Sequence, residues 1–230
     1  MTNNHTKQKT KSSAYHPKRL LKRILATWPL TPVQIIRRRI DKSNQTVLDV
    51  GCGKGITMDR IKNRGWSYRV GVDIFFPYLE ECKQLNTYDD CVLCDIRNLP
   101  VERKSIDLVL CVEVLEHLDE KDGRNLIKSM EEIARHQVII TTPVAYEQYE
   151  YDNNKWQQHK ASWKGTELER LGYQVTGTGF RGFSGERGII NRWPKWLKPL
   201  LICVWNLGSI LTYYFPELAG DLICVKKIEM

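Results

Sequence analysis

From residue 46 onward, short apolar runs alternate with amphipathic stretches. TVLDV (46–50), YRVGVD (68–73), CVLCD (91–95), IDLVLCVEV (106–114), QVIITTP (137–143), YQVTGTGF (173–180) and DLICVKK (221–227) read as strands. Between them, GITMDRIKNRG (55–65), PYLEECKQL (77–85), KDGRNLIKSMEEIAR (121–135) and SWKGTELERLG (162–172) carry helical spacing. Pro77 suits a first helical position, Gly65 and Gly172 suit helix stops, and Ser162 is placed as a cap. Strands this apolar, repeated with helices, predict an α/β fold: a mostly parallel sheet covered on both faces. The closing helix–strand–strand pattern predicts a hairpin at one edge.

Three segments break the rhythm. Residues 144–161 are polar and aromatic and read as a loop or lid. Its Tyr146, Tyr149, Tyr151 and Trp156 either line an acceptor pocket or pin the loop. RGFSGERG (181–188) reads as a loop. WPKWLKPLLICVWNLGSILTYYFP (193–216) is strongly apolar, and residues 199–215 raise the question of a membrane span. That run is short for a span and holds Asn206, and the strand after it has to rejoin the sheet. An interfacial helix or a re-entrant hairpin fits better. Trp193, Trp196, Trp205, Tyr213, Tyr214, Lys195 and Lys198 suit a headgroup boundary, and the Trp28-bearing N-terminal helix suits the same surface. A helix pair that covers the site or forms a dimer is the other reading.

Composition narrows this little: 42% hydrophobic and 27% charged is ordinary for a globular protein, and 230 residues suggest one domain. Charge is more telling. The net charge of +8 points to an anionic partner, and much of it sits in the first forty residues, at KQKTK (7–11), KRLLKRI (18–24) and IIRRRI (35–40). Residues 1–45 are therefore read as a basic tail with helices, and 46–230 as the main domain with an apolar helical insertion at about 189–217. The polar start lacks a signal-peptide pattern, so the expected place is the cytoplasm, with association to the cytoplasmic face of an anionic membrane. Cys91 and Cys94 form a CxxC, but residues three apart on a strand face opposite ways, so neither a metal nor a disulfide is expected.

The chemistry concentrates in VLDVGCGKG (47–55), where Asp49 precedes Gly51, Gly53 and Gly55. Such turns usually cradle phosphate. Here three acids, Asp49, Asp73 and Asp95, end three successive strands, at the edge where open α/β sheets bind ligands. Asp73, about twenty residues past the glycines, suits ribose hydroxyls. An acid beside the glycines repels a pyrophosphate but welcomes an ammonium and a sulfonium. S-adenosylmethionine has both and no phosphate, and the glycines let the backbone approach it. Asp95 can accept from an adenine amine while the Ile96 backbone serves the ring.

These stretches resemble class I S-adenosylmethionine-dependent methyltransferases, in the type 11 subgroup that includes the ubiquinone-biosynthesis enzymes. VLDVGCGKG resembles motif I, VGVDIF motif II, CDIRNLP the adenine-contacting motif, and SIDLVLCVEVLEHL the strand that follows. The resemblance covers roughly 46–180 and 221–227. It implies a Rossmann-like seven-stranded sheet with an antiparallel last strand between the fifth and sixth. It implies cofactor contacts from Asp49, Gly51, Cys52, Gly53, Asp73, Ile74, Asp95 and Ile96, and from Cys111, Val112 and Glu113 beside the methionine moiety. His117 and His159 are candidates for a general base, or pack under the loop. The expected activity is methyl transfer to a small-molecule or lipid-linked acceptor. Nucleic acid is the alternative that the charge suggests, but VEVLEH stands where base-amino methyltransferases usually carry an Asn/Asp-Pro-Pro-aromatic box. A non-catalytic nucleotide-binding protein is the third reading. No resident metal is expected.

Overall fold

The computed structural model describes residues 28–61, 65–144, 153–181, 192–194 and 196–229. The basic stretches 7–11 and 18–24, Tyr146, Tyr149, Tyr151, Lys195 and residues 182–188 lie outside the described residues. Seven strands form one sheet: β1 (Thr46–Val50), β2 (Tyr68–Asp73), β3 (Asp90–Leu93), β4 (Ile106–Val112), β5 (Ala134–Pro143), β6 (Gln174–Phe180) and β7 (Ala219–Lys227). Their order is β3-β2-β1-β4-β5-β7-β6. The five on the β3 side run parallel, and β7 lies antiparallel to both β5 and β6. This is the mixed sheet expected from the sequence, with the predicted edge hairpin formed by β6 and β7.

Helices cover both faces: α1 (Pro32–Arg39), α2 (Ile56–Ile61), α3 (Phe76–Leu85), α4 (Glu120–Ile133), α5 (Gly165–Arg170) and α6 (Lys198–Tyr214). Alternation along each strand divides the core in two. Leu48, Val50 and Val109 pack with Leu126 and Met130 of α4, whereas Val47, Leu108 and Leu110 pack with Met58 of α2 and Leu79 of α3. Helix α1 belongs to the second cluster, with Ile35 and Ile36 each only 1% exposed. Helix α1, from the stretch read as the N-terminal tail and helices, thus packs into the same core as the strands.

Three local departures have physical causes. Helix α5 starts at Gly165 with Lys164 in the cap position and no side-chain cap bond, so Ser162 is not its cap. Trp163 is drawn into the core instead, 1% exposed, against Gly123, where an added Cβ would come within 2.4 Å of its ring. Strand β3 ends at Leu93, and Cys94 lies beyond it with its thiol on the Asp95 carbonyl at 3.4 Å. Cys91 looks elsewhere, its sulfur 3.7 Å from that of Cys82. The apolar segment is a single helix, α6, packed on β6; no described helix is long and apolar enough to cross a membrane.

Candidate functional site

The strand ends at β1, β2 and β4 surround a cleft lined by Gly51, Gly53, Asp73, Ile74, Asp95, Ile96 and Glu113. The glycine turn is built for close approach. Gly51 has φ +71°, and a Cβ there would sit 2.4 Å from Val114. Gly53 has φ +53°, and a Cβ there would meet nothing closer than 4.0 Å, so that side of the turn is open. Asp73 fixes the turn to β2 by accepting from the Gly53 N–H and the Phe75 N–H, each at 2.8 Å. Burial raises its carboxyl above the usual range, and those N–H groups counter the rise.

Asp95 is held differently. It accepts from the Arg97 backbone at 3.0 Å and from the Arg97 guanidinium at 2.5 Å, and this partner lowers its pKa. It lines the cleft while also capping the turn Ile96–Asn98. The far wall comes from residues that the sequence reading did not assign to the cleft: Arg97, Asp119, Asp122, Asn154, Gln157 and Lys160. Trp156, read as an acceptor-pocket residue, also lies here, with Arg97 6.0 Å and Lys155 5.1 Å from its ring centre. Four acids (Asp73, Asp95, Asp119 and Asp122), beside Glu113, face two cations, Arg97 and Lys160. That balance favours a cationic ligand over a pyrophosphate. The cleft measures about 120 Å³.

The expectation that Asp49 stands at the mouth is corrected. Its side chain is 2% exposed and points into the core between β1 and α3, where the Tyr88 hydroxyl donates to it at 2.5 Å. Burial pushes the carboxyl up to about 7, against the pull of that hydrogen bond. Asp49 therefore supports the turn from behind. Cys52 and Cys111 are likewise buried, 8% and 0% exposed, with side chains away from the cleft.

A second cavity of about 650 Å³ adjoins the first. Pro32, Val33 and Ile36 of α1, Arg60 of α2, Val112, Asp221 and Ile223 help line it, and Glu113 lines both spaces. Glu113 takes φ +55°, a left-handed conformation that costs an L-residue energy and ends β4. Thr141 holds it there: the Glu113 N–H donates to the Thr141 carbonyl at 3.0 Å, and the Thr141 hydroxyl donates to the Glu113 carboxylate at 2.6 Å. Enclosure, and then the charge of Asp221, push the Glu113 carboxyl up to about 8.

Behind this junction stand Glu116, His117 and His159. Their ligand atoms lie within 4.8 Å of one another. Glu116 is 2% exposed and accepts from the Thr142 hydroxyl at 3.2 Å; burial, with Glu113 next, raises its carboxyl well above the usual range. The His117 Nδ1 lies 3.3 Å from the Gln158 carbonyl, which can only accept, so the proton sits on Nδ1 and Nε2 keeps a lone pair. Burial lowers the His117 pKa to about 4, which leaves it neutral near neutral pH. The two histidine rings meet edge to face with centres 5.0 Å apart. No metal was expected from the sequence, yet two imidazoles beside a buried carboxylate make a donor set that suits a divalent cation.

Residues 48–140 match the family model described as a methyltransferase domain. Among curated proteins, the ubiquinone biosynthesis O-methyltransferase of Pseudomonas paraeruginosa is 30% identical over 131 residues, covering 51% of this chain and 55% of that protein. The chain spans about half the length of the curated relatives it matches. Among solved structures, a SAM-dependent methyltransferase from Archaeoglobus fulgidus superposes with TM-score 0.53 at 19% identity, covering 91% of this chain and 99% of that one. The [4+2]-cyclase SpnF superposes with TM-score 0.56 at 13% identity, covering 86% and 81%. The likeness to these structures is one of fold, and the cyclase shows that the fold is not reserved for one chemistry.

Proposed function

We propose that this chain, whose residues 48–140 match the model of a methyltransferase domain and whose fold is that of a SAM-dependent methyltransferase structure, transfers a methyl group from S-adenosylmethionine to a small-molecule or lipid-linked acceptor. The observation that carries the proposal is the pair of spaces meeting at Glu113: an acid-rich cleft at the strand ends and a larger, carbon-lined cavity beside it. The cofactor supplies an electrophilic methyl group on a sulfonium. In the reaction the acceptor's lone pair forms the new bond to that carbon, the carbon–sulfur bond breaks, and the acceptor's proton leaves.

Asp73 is placed to accept from ribose hydroxyls, and the Ile96 backbone to face an adenine. Glu113 and the turn around Gly51 and Gly53 would hold the charged end. Val33, Ile36 and Ile223 would exclude water around the acceptor, so that positioning contributes much of the acceleration. His117, neutral and with Nε2 free of the proton, is the proposed proton acceptor beside Glu113, and His159 packs against it. Alternatively, Glu116, His117 and His159 would hold a divalent cation, with the His117 Nε2 as a ligand in place of its role as proton acceptor, and the chemistry that the cation would supply is polarisation of an acceptor hydroxyl.

Calorimetry tests the reading directly. S-adenosylmethionine and its demethylated product are expected to bind and NAD is not. Tight NAD binding, or no binding of either methionine-derived ligand, would overturn it. A nucleic-acid acceptor is the second reading, favoured by the net charge of +8. Methyl incorporation into RNA or DNA, abolished by high salt, would establish that reading in place of the first.

A further inference from the structure

We propose that helix α6 docks flat on an anionic lipid bilayer. The helix is inside out for a helix at an aqueous surface. Its polar residues face the protein: Asn206 is 4% exposed, and Ser209 and Thr212 are fully buried. Each turns back on its own helix, Asn206 donating to the Ile202 carbonyl at 2.7 Å and Ser209 to the Trp205 carbonyl at 2.9 Å. Its apolar residues face outward. Leu200 is 59% exposed, Val204 43%, Leu207 60%, Leu211 46% and Tyr214 72%, at steps of three and four that keep them on one face. An amphipathic helix bathed by water has the opposite arrangement.

The inward face is committed to the fold, so the helix cannot leave to cross a membrane. At Gly208 an added Cβ would lie 1.7 Å from the Phe180 ring of β6, and at Gly179 one would lie 2.8 Å from the Trp205 indole. The outward face is therefore a fixed plane about 25 Å long.

What covers it is indicated by its ends and its charge. No charged residue occurs from 199 to 216. Trp193 and Trp196, 50% and 78% exposed, stand at one end, and Tyr214 and Phe215, 72% and 49% exposed, at the other. Tryptophan and tyrosine in these places match the boundary between headgroups and acyl chains. Cations flank the plane. Exposed Arg192 lies beside Trp193. At the far end the Arg39 guanidinium donates to the Tyr213 hydroxyl at 3.0 Å, which draws the Arg37–Arg39 end of α1 alongside α6. With Arg192 at one end, the Arg37–Arg39 end of α1 at the other and no acid from 199 to 216, an anionic surface complements this face better than a second copy, whose own arginines would meet these.

The test is flotation of the full chain with vesicles of phosphatidylcholine alone and of phosphatidylcholine mixed with phosphatidylglycerol. Leu200→Asp and Leu207→Asp serve as variants, since both positions are exposed and leave the packed face intact. Wild type is expected to float with the mixed vesicles, less with phosphatidylcholine alone and less in high salt. Each variant is expected to lower partitioning by about tenfold or more while circular dichroism stays unchanged. Absence of flotation from a folded monomer would overturn the proposal. So would a wild-type dimer that the variants dissociate, because the face would then belong to a second copy. Retention in vesicles after an alkaline wash would also overturn it, because a flat docking helix is released.

Discussion

The acid-rich cleft and the carbon-lined cavity share Glu113 as a common wall, yet the chain encodes them in different ways. The cleft gathers one wall from the ends of β1, β2 and β4 and the turn after β3, between residues 51 and 113, where glycines and acids after apolar runs form a local pattern. The cavity gathers residues from 31 to 223, contributed by α1, α2, β4, β5 and β7. Apart from Val112 and Glu113, none of these has a local signature. A cofactor common to many enzymes can be held by short motifs, whereas a space for a particular acceptor exists only once distant elements pack. Changes to the cleft should therefore move cofactor affinity, and changes to the cavity should move turnover alone.

The largest effect is expected at Asp73. Asp73→Ala removes the proposed acceptor for ribose hydroxyls and releases the Gly53 N–H that it anchors at 2.8 Å. Charge-assisted hydrogen bonds contribute about 1.5–3 kcal/mol each, so affinity for the demethylated product should fall by roughly a hundredfold or more. Lys54→Ala is the reference, because Lys54 pairs with the half-exposed Glu81 and such surface pairs contribute about 0–1 kcal/mol. Equal dissociation constants for the two folded variants would break the comparison at its cofactor end.

A smaller effect, confined to turnover, is expected from Val33→Trp. Val33 lines the cavity from α1 and not the cleft. A larger side chain there occupies acceptor space, and turnover should drop by about tenfold while product affinity stays within about twofold. A parallel loss of product affinity would mean that the two spaces are one site.

Much of the fold was legible because strand alternation, glycine stops and the order of apolar runs are local. The places where the sequence reading fails are also instructive. Ser162 looked like a cap, but burial of Trp163 decided where α5 begins. Trp156 was read as lining an acceptor pocket or pinning its loop, and its place beside Arg97 in the cleft, set by the turn at Lys155–Gln157, joins residues some sixty apart that no local pattern connects. The apolar run 193–216 announced a buried or interfacial helix, but which face would be inward depended on Gly177, Gly179 and Phe180 of β6. His117 and His159 were visible singly and Glu116 was not singled out, and only the fold brings the three within 4.8 Å.

Asp49 sharpens the comparison most finely, because it belongs to the cleft's motif but not to its surface. Alternation already contained the answer: residue 49 shares a face with Val47, which packs in the core. Asp49→Asn should therefore change product affinity by less than about twofold, the smallest effect in the series. Its signature lies in stability against pH. Folding raises the Asp49 carboxyl from 3.8 to about 7, chiefly by burial. The folded state thus holds the proton more tightly than the unfolded chain, so the stability tied to that proton is present at acid pH and is lost as pH rises through the folded value. Asparagine keeps a carbonyl for the Tyr88 hydroxyl and carries no charge to desolvate. The variant should accordingly gain stability relative to wild type as pH rises from about 4 to about 7, and level off above that, by an amount of the order of a few kcal/mol. Thermal unfolding across that range measures the difference. A constant gap would remove the buried titration from the account, and a tenfold loss of product affinity would put Asp49 back at the mouth of the cleft.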